Sequence, residues 1–269
     1  MNSLTKSLVC LFIAAVSSVF GAGIHVVDDL TKEATAKPGD KVQGAILVQN
    51  SGDKPGEVKV YQTDYLFFSG GKNDYGEPGS VQRSNSSWIA FTPSQFVIQP
   101  GETAKIYYTI EVPNDESLCG TYWSMLMVEP IADGALKPIG SSPDKINLGI
   151  HTVMRYAIQV VVNIGDTGKR EIKIANKQII TKDGDRFLQL DIENVGERWL
   201  RPWIRAEIYD DQGARIGSFG GSRTRIFPGC SVRIPIKITD LQAGKYTSLV
   251  VVDNGDDSVW GAQYEMDIK

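Results

Sequence analysis

The chain has 269 residues, with 28 Lys and Arg side chains against 32 Asp and Glu and a formal net charge of −4 at pH 7. This mildly acidic balance, with no cluster of basic residues, argues against nucleic-acid binding, which needs a concentrated positive field. Strand-forming residues dominate the apolar set, Gly is plentiful, and long stretches with a 3.6-residue period are absent. We therefore expect an all-β protein.

A secretory signal peptide is predicted over residues 1–22. Lys6 precedes the apolar run LVCLFIAAVSSVF (residues 8–20), and the small residues Gly21 and Ala22 follow it. The run is shorter than the roughly 20 residues that a membrane-spanning helix needs. We expect cleavage near Gly21 or Ala22, and a mature chain in the periplasm or outside the cell as part of a bacterial envelope.

Three segments in the first half alternate between apolar and polar residues. The segments VQGAILVQNSG (42–52) and GEVKVYQTDYLFF (56–68) indicate two strands of a half-buried antiparallel sheet. A polar, Gly-rich stretch over 69–87 is typical of a surface loop. The segment FVIQPGETAKIYYTIEV (96–112) then predicts a strand, a Pro-Gly turn and a second strand.

The second half repeats this order. LQLDIENVG (188–196) matches AILVQNSG, WIRAEIYDDQG (203–213) takes the place of VKVYQTDY, and a second Pro-Gly turn follows at 228–229. Tyr122 and Tyr246 each stand just before an alternating apolar strand, where immunoglobulin-like sandwiches carry a tyrosine corner. The sequence therefore predicts two tandem immunoglobulin-like β-sandwich domains.

The segment from residue 152 to residue 162 alternates and is predicted to be the last strand of the first domain. The only Gly-rich break after it is GDTGK (165–169). We expect the domains to span residues 23–165 and 166–269, with a linker short enough to restrict the angle between them.

The first domain resembles the pilus-assembly chaperone family of periplasmic proteins. The matching residues are FTPSQFVIQPG (91–101) and PNDES (113–117), followed by Leu118 and Glu129. The resemblance implies that the seventh strand of the first domain completes a partner subunit by strand addition, in which main-chain hydrogen bonds supply affinity. The implied partner is a pilin-like subunit or another envelope protein. The implied partner-binding residues are Thr152, Met154, Arg155, Tyr156, Ile158 and Val160.

In that family a basic pair between the domains anchors the subunit's terminal carboxylate. The resemblance implies Arg155 as the member on the seventh strand and offers Lys32 as the nearest base on the first strand.

A second resemblance, to Gram-positive envelope proteins with paired immunoglobulin-like domains, implies a structural or adhesive role. In that case Trp199 and Trp203 could form an exposed aromatic platform for sugar or protein. The alternative for this pair is core packing of one ring and edge exposure of the other.

We expect no enzymatic activity, cofactor or metal. His25 and His151 are the only histidines, neither has metal-ligand spacing, and neither a nucleophile elbow nor a phosphate-binding loop occurs. Cys119 and Cys230 are the cysteines of the mature chain, and both are expected near the joint between the domains. They are candidates for a disulfide, with two unpaired buried thiols as the alternative.

Overall fold

The computed structural model describes residues 23–131 and 154–269, and the predicted signal peptide lies outside them. The described residues form seventeen β-strands and one short 3-10 helix, Ser86–Trp88. They build two tandem immunoglobulin-like β-sandwich domains, which confirms the predicted fold class.

The first domain packs two sheets face to face. One has the order β1-β3-β8-β6, and the other has the order β2-β10-β9-β4-β5, with β7 also paired to β4. The strands are β1 (Ile24–Val26), β2 (Thr31–Ala36), β3 (Lys41–Asn50), β4 (Gly56–Phe67), β5 (Asn73–Gly76), β6 (Ile89–Thr92), β7 (Gln95–Ile98), β8 (Thr103–Glu111), β9 (Gly120–Ile131) and β10 (Tyr156–Ile164).

The second domain pairs a three-stranded sheet, β11-β12-β15, with a four-stranded sheet, β14-β13-β16-β17. Its strands are β11 (Ile172–Lys182), β12 (Asp185–Asn194), β13 (Trp203–Asp210), β14 (Arg215–Gly220), β15 (Ser231–Lys237), β16 (Gly244–Asp253) and β17 (Val259–Ile268). The Gly-rich break at 165–169 falls between β10 and β11, and we keep it as the proposed domain boundary.

The repeat seen in the sequence is repeated in the hydrogen bonds. In the first domain the Asn50 side chain donates to the carbonyls of Lys54 and Ile98 and accepts from Gly52 N. In the second domain the Asn194 side chain makes the same three bonds, with Arg198, Ile226 and Gly196. The main-chain carbonyls of Asn50 and Asn194 also accept from Gly101 and Gly229, the glycines of the two Pro-Gly turns, both at 2.8 Å. Each buried asparagine therefore ties the end of one strand to a neighbouring turn.

Each domain has its own buried core, and apolar residues of the first domain pack against the core of the second. Trp123 and Val161 come from the first domain but pack in the core cluster of the second. The Trp123 and Phe227 rings stack with centroids 4.7 Å apart. The outer face of the β9-β10 sheet is therefore an interface over its end nearest the second domain.

The main chains approach closely at the joint. A side chain at Gly120 would collide with the Glu197 carbonyl, and one at Gly168 would collide with Gly120 itself. Both glycines have positive φ, 74° and 87°, which glycine adopts without strain. Thr121 N donates to the Glu197 carbonyl at 2.8 Å, and Glu197 N donates to the Lys169 carbonyl at 2.7 Å. These contacts hold the two domains together over a short length of chain.

Candidate functional site

The first strand of the chain changes sheets. β1 pairs with β3 in one sheet of the first domain. After Val27, which bonds to Leu47, the chain crosses over, and β2 pairs in parallel with β10 in the other sheet. This second pairing begins at Gln159, which lies opposite Thr31 and whose N–H donates to the Leu30 carbonyl at 2.8 Å. β2 therefore covers only the later part of the β10 edge.

The early part of β10 pairs on one side only. Its residues from Tyr156 onward pair with β9, but no described residue pairs with Tyr156 to Ile158 on the β2 side. The main-chain groups of successive strand residues point to opposite edges. Because Gln159 N points to β2, the N–H and C=O of Ala157 also point to that side. Ala157 therefore presents one donor and one acceptor at the open edge.

Exposed apolar side chains lie along the chain beside this edge. Met154 is 62% exposed just before β10, and Leu30 and Val27 are 46% and 43% exposed at the crossover. Unpaired strand edges with apolar neighbours are sites for pairing with another chain.

A pocket of about 480 Å³ opens on the outer sheet face next to Ala157. Its remaining lining residues are Tyr61, Thr63, Tyr75, Met127 and Arg155. The Tyr61 hydroxyl donates to Glu129 at 2.7 Å, and Arg155 lies 4.0 Å from the same carboxylate. Burial, followed by the bond to Glu129, raises the pKa of Tyr61, so its hydroxyl stays protonated. Arg155 is more than half exposed and keeps donors for another group.

The predicted partner-binding residues divide into three sets. Thr152 lies outside the described residues. Met154 and Arg155 precede β10, and Tyr156 and Ile158 turn inward to the first core from the open part of the strand. The prediction for Val160 is wrong: its side chain is fully buried, and β2 already lies along this part of the β10 edge, with Lys32 opposite Val160, so no partner strand can be added there.

Arg155 and Lys32, the two residues that the resemblance offered, do not form a basic anchor between the domains. Arg155 precedes β10, whose nine residues span about 30 Å before reaching the joint. Lys32 is neutralised by Asp28, with 2.6 Å between its Nζ and the carboxylate. The charges that do meet between the domains come from other residues.

Glu33 on β2 is the polar centre of the contact between the domains. One carboxylate oxygen accepts from Asn163 at 2.7 Å and from the Trp199 indole at 2.9 Å, and the other accepts from Arg225 at 2.9 Å. Thr121 closes the network, since its hydroxyl donates to Asn163 and accepts from Trp199 N. The resemblance did not indicate Glu33; the alternation of Thr31, Glu33 and Thr35 was the available signal.

The predicted disulfide is absent, and both cysteines are free thiols. They contact different parts of the joint. The Cys119 thiol lies at Glu197, whereas the fully buried Cys230 thiol lies near the Phe67 main chain. Burial raises the pKa of Cys230 to about 11, so its thiol stays protonated and unreactive.

The two predicted corner tyrosines differ. The Tyr246 hydroxyl donates to the Gln242 carbonyl at 3.1 Å, the upstream main-chain contact of a tyrosine corner. The Tyr122 ring instead packs against Trp88 with centroids 4.7 Å apart and lies under the Arg83 guanidinium. Its hydroxyl bonds to none of the described residues.

No family model and no curated protein matches the sequence. Several solved structures are similar. A chaperone–tip adhesin complex of CFA/I fimbriae gives a TM-score of 0.48 at 11% identity, covering 91% of this chain and 98% of that chain. The class 5 fimbriae chaperone CfaA gives 0.47 at 10% identity, covering 92% and 100%. The CsuC–CsuE pre-assembly complex of Acinetobacter baumannii gives 0.41 at 14% identity, covering 79% and 89%.

The predicted resemblance to pilus-assembly chaperones thus recurs among solved structures. At these identities and TM-scores, function has to be argued from the residues of this chain. In the part of the chain that the structure describes, no helix is long and apolar enough to cross a membrane. Across the same ranges, no group of three or more His, Cys, Asp or Glu side chains is arranged to hold a metal ion.

Proposed function

We propose that this chain is an exported, non-enzymatic, chaperone-like protein that captures a segment of a partner protein by strand addition at the open part of β10. The supporting observation is the crossover of the first strand, after which no described residue pairs with Ala157 on the β2 side. A structural spacer would have no need of this gap between β2 and the start of β10. The open edge therefore favours capture over a purely structural or adhesive role.

The pocket beside Ala157 supplies a means of selection. In an added strand, the side chain opposite Ala157 would lie on the same outer face as Tyr61, Met127 and Arg155. Main-chain bonds to Ala157 are independent of sequence, whereas a pocket with aromatic, thioether and guanidinium groups discriminates between side chains. The geometry favours a partner residue that combines an apolar body with an acceptor for Arg155.

The decisive variant is Ala157→Pro. Proline removes the N–H that points to the open edge but leaves β9 pairing intact, because Tyr156 and Ile158 supply the bonds on that side. Ala157→Val is the matched control, since it changes the side chain and keeps the N–H. Far-UV circular dichroism and the urea midpoint would verify that both variants fold.

A photo-crosslinking amino acid at Met154 would report capture from an envelope extract, and the same probe at Val259, 57% exposed on β17, is the positional control. We expect a specific adduct from position 154 only, retained in Ala157→Val and reduced at least tenfold in Ala157→Pro. An undiminished adduct in a correctly folded Ala157→Pro variant would exclude strand addition at this edge.

A further inference from the structure

A row of tryptophan and arginine side chains runs along one face of the second domain. The buried residues Leu200 and Pro202 alternate along the chain with three less buried ones. These three, which share the outer face, are Trp199, Arg201 and Trp203. The neighbouring segment pairs with this one through Leu200 and Ile226 and brings Arg223 and Arg225 alongside. We name Trp199, Arg201, Trp203, Arg223 and Arg225 the Trp–Arg ladder.

Two guanidinium groups of the ladder lie over indole rings. The Arg225 guanidinium is 4.0 Å from the centroid of Trp199, and that of Arg223 is 5.2 Å from the centroid of Trp203. Stacking restricts the long arginine side chains before any ligand arrives, while the N–H groups at the guanidinium edge stay available. Arginines held in this way lose less entropy when they bind a carboxylate.

The first rung of the ladder, Trp199 and Arg225, already binds a carboxylate that a β-strand presents. Glu33 of β2 accepts from the Trp199 indole and from Arg225, both at 2.9 Å. The ladder therefore has a demonstrated ligand type within the molecule itself.

The second rung has the same chemistry without such a partner. Neither Arg201 nor Arg223 forms an ion pair with any carboxylate in residues 23–131 or 154–269. Arg223 uses its Nε to donate to the Arg201 carbonyl at 2.7 Å, which fixes its position without neutralising its charge. Trp203 beneath it is 55% exposed. Two positive charges without an ion-pair partner among the described residues thus stand on an exposed surface, and the Arg223 guanidinium is held in place there.

We propose that the second rung, Arg201, Trp203 and Arg223, binds acidic side chains of an extended protein segment, as the first rung binds Glu33. Side chains on one face of an extended segment repeat every two residues, about 6.6 to 6.8 Å. Glu or Asp side chains at alternate positions of such a segment can therefore both face the two arginines, whereas adjacent ones point to opposite faces. The proposal rests on the proposed function in taking the partner to be a protein.

A glycan is the less suitable occupant. Sugars bind tryptophan through a free ring face, and here Arg225 and Arg223 each lie over an indole. Guanidinium N–H groups at this surface are donors that pair with carboxylates in a bidentate manner.

Isothermal titration at low salt with three capped peptides tests the proposal. SVTETEVS has alternate carboxylates, SVTEETVS has the same composition with adjacent carboxylates, and SVTQTQVS has none. We expect saturable binding of the first, at least threefold weaker binding of the second, and at least tenfold weaker binding of the third. Raising the salt concentration should weaken binding of the first peptide.

Arg223→Gln and Arg201→Gln should each weaken binding of SVTETEVS about tenfold, the loss expected for one charge-assisted hydrogen-bonded pair. Arg215→Gln, which removes an exposed arginine on β14 outside the ladder, is the matched control and should change affinity less than twofold. Equal effects of Arg223→Gln and Arg215→Gln, or equal binding of the Glu and Gln peptides, would overturn the proposal. Tighter binding of polygalacturonate than of SVTETEVS, lost in Arg223→Gln, would also overturn it in favour of an anionic glycan.

The test is separable from that of the proposed function. Ala157→Pro alters the open edge of β10 and should leave SVTETEVS binding unchanged. If the otherwise unchanged protein gives no adduct from position 154, the result counts only against strand addition. If the unchanged protein does not bind SVTETEVS, the result counts only against the ladder.

Discussion

Replacing Asn194 with Ala should destabilise the second domain by removing the link between the end of β12 and two turns. Asn194 is fully buried, and its side chain donates to the carbonyls of Arg198 and Ile226 at 2.8 and 2.9 Å and accepts from Gly196 N at 2.9 Å. None of these three bonds can be made by alanine.

The magnitude depends on which main-chain groups keep another partner. The Ile226 carbonyl still accepts from Leu200 N, and Gly196 N still donates to the Glu171 carbonyl. These two losses cost about 0.5 to 1 kcal/mol each, whereas the Arg198 carbonyl loses its described partner and costs about 1 to 2 kcal/mol. The free energy of unfolding should fall by about 3 kcal/mol in total.

Urea unfolding followed by tryptophan fluorescence measures this loss. At a slope of about 1 to 3 kcal/mol per molar urea, the midpoint of the second domain should fall by about 1 to 3 M. Asn50→Ala is the internal comparison, since Asn50 makes the equivalent three bonds in the first domain. A loss below about 1 kcal/mol in Asn194→Ala, at an unchanged slope, would refute the view that the repeated asparagine stabilises each sandwich.

Three further predictions follow from single side chains. Glu33→Gln should lower the free energy of unfolding by about 1 to 2 kcal/mol, as measured in urea, because the NH2 group of the glutamine replaces one acceptor oxygen and faces the Arg225 donor. No loss would mean that the network is dispensable. Arg233 lowers the pKa of Asp191 to about 2 from 3.8, so about 2 kcal/mol of stability present above pH 4 should disappear as the pH falls to 2; Asp191→Asn should remove that acid dependence, and an unchanged pH profile would contradict the assignment. Iodoacetamide should leave Cys230 unmodified in the native protein and modify it fully in denaturant without reductant, as read by peptide mass; native labelling would contradict its burial.

The two sandwiches could be predicted because the signal is local and occurs twice. The asparagine at the end of one strand and the Pro-Gly turn that bonds to it stand in the same order in both halves, so each copy supports the interpretation of the other. Tyr246 illustrates the limit of such reasoning. Its counterpart Tyr122 has the same sequence context but packs against Trp88 and Arg83, which come from the long connection between β5 and β6.

The candidate site was predicted less well because it depends on contacts between distant segments. Alternation identified β10 as a strand but could not show that β2 pairs with its later part and excludes Val160. The cysteines show a similar limit. Strand order places Cys119 and Cys230 near the joint, but it does not set the rotation of one domain against the other, and they contact Glu197 and Phe67 respectively.

The open edge and the joint depend on the same stretch of chain, from β1 to β2. After its crossover, none of the described residues pairs with Ala157 on the β2 side. Glu33, the third residue of β2, accepts from Trp199 and Arg225 of the second domain. β2 can leave the early part of β10 open without detaching because its later part is held from two sides, by pairing with β10 and by the second domain. The second domain therefore stabilises the strand that borders the open edge, although it contributes none of the residues with which the proposed partner strand would pair.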